Sequence, residues 1–219
     1  MQKTRTKLKT KKILIQNSIA TPSYLTLENI SRAYVSGKKF ILKSNSEHAS
    51  KGLNTKLYEN KKEIKRELKT RRVFFAEEYI EGKPGYEEFN ISVLGGNVLP
   101  IAAIDFVNWT STKPRIVDYT AKWNSDSVES RSTVRKFDFD CLHHNLLNNL
   151  KIIYKKCWKV FGLKGYARID FRVDKNDKPY VLEVNTNPCI SLDAGFIAAT
   201  QRAGFTREQV LQKIIWDMN

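Results

Sequence analysis

Cysteine, methionine and histidine are scarce, with three, two and three copies among 219 residues. Cys141, Cys157 and Cys189 are an odd number without metal-ligand spacing. That excludes a disulfide framework and a cysteine-built zinc site, and it points to a reducing compartment. No apolar run is long enough to span a membrane. The N-terminus MQKTRTKLKTKK has no hydrophobic core behind its charges, so it is not a secretory signal. A mitochondrial presequence is the alternative, since the start is basic and free of acids; a cytoplasmic location and no membrane partner are expected. Acidic residues are sparse early in the chain. Residues 1–75 hold 19 Lys/Arg against 5 Asp/Glu, while the remainder holds 19 against 18. A basic segment of this kind attracts nucleic acid, an anionic membrane or a polyphosphate ligand, or is simply a solvated lysine-rich surface.

What is present suffices for a folded core: 41% apolar and 11% aromatic residues. There is no internal repeat. The composition boundary near residue 75 predicts a small basic lobe, 1–75, containing a polar loop at 44–52, and a larger mixed lobe, 76–219. Helices are expected at 4–17, with Leu8, Ile13, Leu14 and Ile15 as apolar positions, and at 26–35 and 55–71. Strands are expected at Phe40–Lys43, Val73–Ile80, Phe89–Leu94 and Val98–Phe106, the last two joined by Gly95-Gly96-Asn97. A short strand is expected at Arg115–Tyr119. The clearest helix is 138–161, where Leu142, Leu146, Leu150, Ile153, Cys157 and Phe161 recur at steps of three or four before a capping Gly162. His143 and His144 fall off that stripe and read as surface residues. Closing helices are expected at 195–203 and 206–216, the second capped by Thr206.

The stretch YARIDFRVDKNDKPYVLEVNTNP is the most informative. As two strands, 166–173 and 180–184, it sets Arg168, Asp170 and Arg172 on one face, with Ile169, Phe171 and Val173 on the other. In the second strand Val181, Glu183 and Asn185 share a face. A turn centred between Asn176 and Asp177 sets Asp170 opposite Glu183 and Arg168 opposite Asn185. Two facing carboxylates repel, and a divalent cation removes that cost. Arg168 beside such an ion could stabilise an oxyanion. The plainer reading is a solvent-facing hairpin whose charges pair with one another.

These residues resemble the end of the ATP-grasp domain of D-alanine–D-alanine ligases, whose pattern is Arg-x-Asp-Phe and then Glu-x-Asn-Thr-x-Pro-Gly. The chain reads Arg168-Ile169-Asp170-Phe171 and Glu183-Val184-Asn185-Thr186-Asn187-Pro188-Cys189. The resemblance implies an α+β ATP-grasp fold, two α+β lobes clasping ATP. It implies that Asp170, Glu183 and Asn185 hold two magnesium ions, or manganese, with Glu183 bridging, and that Arg168 stabilises the tetrahedral intermediate. It covers nearly the whole chain from about residue 7. Phe40-Ile41-Leu42-Lys43 with SNSEHASKGL is similar to the family's strand, lysine and phosphate loop. Lys43 would contact the α- and β-phosphates, and backbone N–H groups around Ala49–Gly52, Ser50 among them, would cradle phosphate oxygens. Glu77-Glu78-Tyr79-Ile80 resembles the segment that reads adenine. Glu77 would take the exocyclic amine side, and Tyr79 and Ile80 would wall the purine. Glu88 matches the ribose-binding glutamate, with Glu87 the alternative. Asp118-Tyr119-Thr120-Ala121-Lys122-Trp123 is similar to the family's DYxxK loop, so Lys122 would reach the γ-phosphate. Lys7, in a segment like the family's DKxxTK helix, would be a second phosphate lysine, unless a neighbouring lysine takes that role.

The implied reaction is ATP-dependent carboxylate–amine ligation through an acyl phosphate, and none of the cysteines needs a catalytic part in it. Two departures stand out. The family usually begins with a separate domain, and this chain starts almost at the ATP-grasp helix, so a partner chain or homo-oligomer is expected to complete the site. The serine that grips the product carboxylate in D-alanine ligases is matched by Ala194, so dipeptide synthesis is not expected of the chain alone. The competing readings are a catalytically impaired ATP-binding pseudoenzyme and a nucleic-acid-binding protein acting through residues 1–75. The second has charge but no base-reading motif, so specific nucleic-acid recognition is not expected.

Overall fold

The computed structural model describes residues 4, 6–46, 54–109, 113–124, 126–139 and 143–216. The chain forms two compact units, each discontinuous in sequence. Unit 1 comprises Met1–Thr21, Gly82–Asp105 and Arg135–Asn219; unit 2 comprises Pro22–Glu81 and Phe106–Val134. The composition boundary near residue 75 divides charge, and these units divide packing; the two lines do not coincide.

In unit 2, β1 (Tyr24–Leu25), β2 (Phe40–Ser44), β3 (Asn54–Tyr58) and β4 (Phe74–Glu78) form a four-stranded antiparallel sheet of order β1-β4-β2-β3. The helix α2 (Lys61–Thr70) packs on it. Leu25, Ile30, Phe40, Leu42, Tyr58, Ile64, Leu68 and Ala76 make its core. Two expected helices are corrected here. Residues 27–32 are turns and 33–35 are irregular, because Asn29 accepts from the Thr26 N–H and donates to the Tyr24 carbonyl, closing a local loop that competes with a helix. Residues 55–58 of the expected 55–71 helix are strand β3 instead: Tyr58 pairs with Phe40, and α2 begins only after Asn60, whose side chain accepts from the Lys62 and Glu63 N–H groups. Arg115–Tyr119 is not a strand. Asp118 caps a short helix, α3 (Tyr119–Trp123), by accepting from the Ala121 N–H at 2.8 Å, and α4 (Val128–Arg131) follows.

In unit 1 a second sheet runs in the order β10-β9-β5-β7-β8. Its strands are β5 (Glu88–Leu94), β7 (Ala102–Phe106), β8 (Thr133–Lys136), where the chain re-enters the unit, β9 (Tyr166–Val173) and β10 (Pro179–Asn185); β6 (Asn97–Val98) pairs with β5. The expected strand 98–106 is interrupted by Pro100, which cannot donate to a ladder. Odd positions of β5 and β9 (Phe89, Ile91, Val93, Ile169, Phe171, Val173) are buried. They pack in one core with Leu14 of α1 (Lys7–Gln16) and with Leu146, Leu150, Tyr154, Cys157 and Phe161 of α5 (His144–Phe161). The α1 stripe differs from expectation. Thr10, Lys11 and Leu14 face inward and Ile15 is exposed, because Lys11 Nζ donates to Thr21 Oγ1 at 2.8 Å. The α5 helix begins at His144, later than expected. His143 stacks on Tyr86 with ring centroids 4.0 Å apart, so it is partly packed. Cys141 and Leu142 lie outside the described residues.

Even positions face the other way. Leu94 of β5 and Tyr166 of β9 pack in a second core with α6 (Gly195–Arg202) and α7 (Arg207–Trp216), and Tyr166 meets Phe196 edge-on. The remaining even positions on that face are polar. Gly162 ends α5 with φ +62° in the left-handed region, and a Cβ there would meet nothing within 4 Å. Gly162→Ala should therefore cost only the backbone penalty, about 1–2 kcal/mol, read as a lowered urea midpoint.

Candidate functional site

Unit 1 gathers its polar groups on that even face. Glu88 and Asn90 of β5 lie opposite Arg172 and Asp170 of β9, and on the other side Asp170 lies opposite Glu183 and Arg168 opposite Asn185 of β10. The expected cross-strand pairs form, by a route the alternation did not foresee. Near the turn the register is Val181 opposite Phe171, and a bulge between Val181 and Glu183 inserts one residue. Val181 and Val184 both enter the core, so Val181 and Glu183 do not share a face. Without the bulge, either Val181 or Glu183 would point the wrong way.

Asp170 is the centre of the cluster. It is buried and accepts from Arg168 twice, Nε at 2.7 Å and Nη2 at 2.9 Å. It also accepts from Asn90 Nδ2 at 2.9 Å and Asn185 Nδ2 at 3.0 Å. Asn90 carries no role in the sequence reading, although its place two residues after Glu88 is enough to put it on the same face. Burial disfavours the Arg168 charge, but the Asp170 carboxylate beside it, with Glu183 and Glu88 further out, outweighs this and raises its pKa. Lys7 Nζ lies 3.6 Å from Glu183 Oε1, bringing the first residue of α1 to the same cluster. Glu88 Oε2 is 3.8 Å from Arg172 Nη1. Glu88 shares the face of Asp170, whereas Glu87, one residue earlier, has the opposite parity.

Unit 2 holds the other candidates. Lys43 on β2 and buried Glu77 on β4 form a close ion pair. Lys38 Nζ donates to Glu78 at 2.8 Å. The Glu78 and Tyr79 N–H groups donate to Ser23 and Lys39 carbonyls, and the Tyr79 hydroxyl accepts from the Arg115 N–H at 3.2 Å. Ile80 is buried just after β4 ends. Lys122 on α3 is exposed. Ser50 and the expected phosphate loop around it lie outside the described residues.

Burial pushes the Cys157 thiol up to about 12, so it is no nucleophile at neutral pH. Among the described residues no three His, Cys, Asp or Glu side chains converge as a metal site. A metal bound at Asp170 and Glu183 therefore needs the Asn185 oxygen or further groups from a ligand. No helix among the described residues is long and apolar enough to cross a membrane.

A profile of the family described as D-ala D-ala ligase C-terminus matches residues 37–216. A D-alanine–D-alanine ligase of Carboxydothermus hydrogenoformans is 30% identical over 225 residues, covering 95% of this chain and 67% of the relative. One of Clostridium botulinum is 28% identical, covering 94% and 65%. The crystal structure of D-alanine–D-alanine ligase from Bacillus anthracis complexed with ATP matches with a TM-score of 0.70 at 25% identity, covering 98% of this chain and 66% of that one. The chain thus spans about two thirds of the length of these relatives.

Proposed function

The chain belongs to the D-ala D-ala ligase C-terminus family, and from that premise we propose that it serves as the ATP-binding catalytic part of a carboxylate–amine ligase. ATP phosphorylates a substrate carboxylate; an amine then attacks the acyl phosphate, phosphate leaves, and an amide remains. The protein positions the reactants and stabilises charge, and it needs no covalent nucleophile.

The observation that carries the reading is the Asp170 cluster. One buried carboxylate is held by four side-chain hydrogen bonds, directly opposite a second carboxylate, on the polar part of the face capped by α6 and α7. Oxygen donors of Asp, Glu and Asn suit magnesium, which completes its shell with water and phosphate oxygens. Asp170, Glu183 and Asn185 would hold it, and when bound it neutralises phosphate charge. Asp170 is at present committed to Arg168, while Lys7 faces Glu183. To ligate through its oxygen, Asn185 would turn its amide and release the hydrogen bond it donates to Asp170 Oδ2, which frees one lone pair of that carboxylate for the metal. Arg168 would stabilise the oxyanion. Glu88 would take the ribose hydroxyls. In unit 2, Lys43 and Lys122 would contact phosphates, and Glu77 to Ile80 would bound the base.

ATP with magnesium should raise the melting temperature. At a hundred times Kd the gain is about 2.7 kcal/mol, which for a chain of this size is roughly 5–11 °C. ATP with EDTA should give a clearly smaller rise. No shift at millimolar ATP and magnesium would count against nucleotide binding and the ligase reading with it.

A further inference from the structure

Unit 1 buries a charge to which the proposed reaction gives no part. Lys11 of α1 is only 1% exposed. Its ammonium donates to Thr21 Oγ1 at 2.8 Å, and the Thr21 hydroxyl donates in turn to the Val181 carbonyl at 2.7 Å. A hydroxyl has one proton and two lone pairs. The Thr21 proton is spent on Val181, so its lone pairs take a donor, and the ammonium is one. The Val181 N–H donates to the Ala20 carbonyl at 2.8 Å. Both backbone groups of Val181 are therefore held by residues 20 and 21. Pro22 follows Thr21 and favours an extended backbone there.

Val181 is the residue at which β10 leaves regular register. It pairs with Phe171, the next pair is Glu183 with Asp170, and Leu182 is the extra residue between them. β10 is also the edge of its sheet, so β9 holds it from one side only. A bulge disrupts the ladder locally, and contacts from the open side then decide where it sits. Residues 20 and 21 make those contacts immediately before the bulge. Were the bulge to slide past Glu183, Leu182 would stand opposite Asp170 and Glu183 opposite Ile169, with the parity of the core face.

The same helix reaches the other side of the bulge. Lys7 and Lys11 are four residues apart and share a face of α1. Lys7 Nζ lies 3.6 Å from Glu183 Oε1, while Lys11 reaches Val181 through Thr21. An apolar side chain at position 11 would fill the space but would not grip the hydroxyl.

We propose that Lys11 and Thr21 are positioning residues that pin the β10 bulge and so turn Glu183 toward Asp170 to share a metal ion. This rests on the metal assignment made above and adds the means by which one of its carboxylates is aimed.

The test uses the full chain with manganese as the probe, its affinity in the presence of ATP read by electron paramagnetic resonance. Calorimetry of ATP in EDTA reads nucleotide binding without the metal. Thr21→Val keeps the shape and removes the hydroxyl. It should weaken manganese binding by about 10–100-fold, the usual effect of losing a group that orients a metal ligand, and leave ATP binding in EDTA unchanged. Thr21→Ser keeps the hydroxyl and should stay close to wild type. Lys11→Met should act in the direction of Thr21→Val, and the double variant should be no worse than Thr21→Val, because the two residues act as a unit. Without any ligand, hydrogen exchange at residues 182–184 should quicken in Thr21→Val while β9 keeps its protection. If Lys11→Met does not fold, the two Thr21 variants and the exchange measurement decide alone. Wild-type manganese affinity in Thr21→Val overturns the proposal. So does an equal loss of ATP binding with and without metal, which would make the pair a general support of the fold, and so does a Thr21→Ser variant as impaired as Thr21→Val. Each of these leaves the metal assignment standing. A wild-type protein whose ATP complex takes up no manganese removes the metal assignment and the proposal together.

Discussion

Replacing Asp170 by Asn together with Glu183 by Gln is expected to abolish the magnesium-dependent part of ATP binding. Both changes remove a formal negative charge and keep the side-chain shape. A hard divalent cation loses most of its attraction when two carboxylates become amides, and a loss of at least about a hundredfold in affinity follows. Calorimetry with and without magnesium measures it directly. Alanine is a poorer choice at position 170. Asp170 accepts from Arg168, Asn90 and Asn185, and removing it orphans all of these donors. Arg168 keeps 19% of its side chain exposed, so the cost is that of a partly buried charged hydrogen bond, about 1–3 kcal/mol. A binding loss in Asp170→Ala would thus mix site chemistry with local unfolding. The amide pair separates them, provided its melting curve without ligand stays close to wild type. Undiminished magnesium-dependent binding in the pair would remove the metal assignment.

The cluster was legible in the sequence because its information is local. Alternation along 166–173 sorts Arg168 and Asp170 from Ile169 and Phe171 without knowledge of any other strand. Cross-strand partners follow from a hairpin turn, and the pairs of Asp170 with Glu183 and Arg168 with Asn185 are those found. The bulge at 181–183 was not legible, because an extra residue in a strand leaves no composition signal. Asn90 was missed for a different reason. It lies on β5, some eighty residues from Asp170, and only the antiparallel pairing of β5 with β9 brings it there. Two further misreadings came from lysine-bearing stretches, one in each unit. Asn54–Tyr58 carries helix-compatible residues, yet pairing with β2 decides its conformation. Lys11 reads as a solvated charge and is buried, because a hydroxyl at Thr21 accepts its ammonium and passes a hydrogen bond to the Val181 carbonyl. Charge counts cannot see such a partner.

Arg168→Met is expected to lower turnover by about 10²–10³-fold, with the KM for ATP little changed. A cation aimed at the developing oxyanion contributes to the transition state and not to ground-state binding, and loss of one such donor has that size. In the ligand-free protein Arg168 has a second duty, since it neutralises Asp170 through two hydrogen bonds. Methionine abandons both duties, so a fall in activity alone would not tell them apart. Arg168→Lys distinguishes them. A lysine keeps the positive charge beside Asp170 but offers a compact ammonium in place of the planar fork. If Arg168 serves mainly to hold Asp170, lysine should recover most of the turnover along with the stability. If it acts on the oxyanion, the melting temperature should recover while kcat stays at least about ten-fold down, because the donor no longer reaches the reacting oxygen with the right geometry. Single-turnover ADP release with magnesium and a stimulating amino acid, set beside the melting curves of both variants, reads the two quantities separately. Recovery of both by lysine would reduce Arg168 to a structural counter-ion for Asp170 and leave the oxyanion to another group.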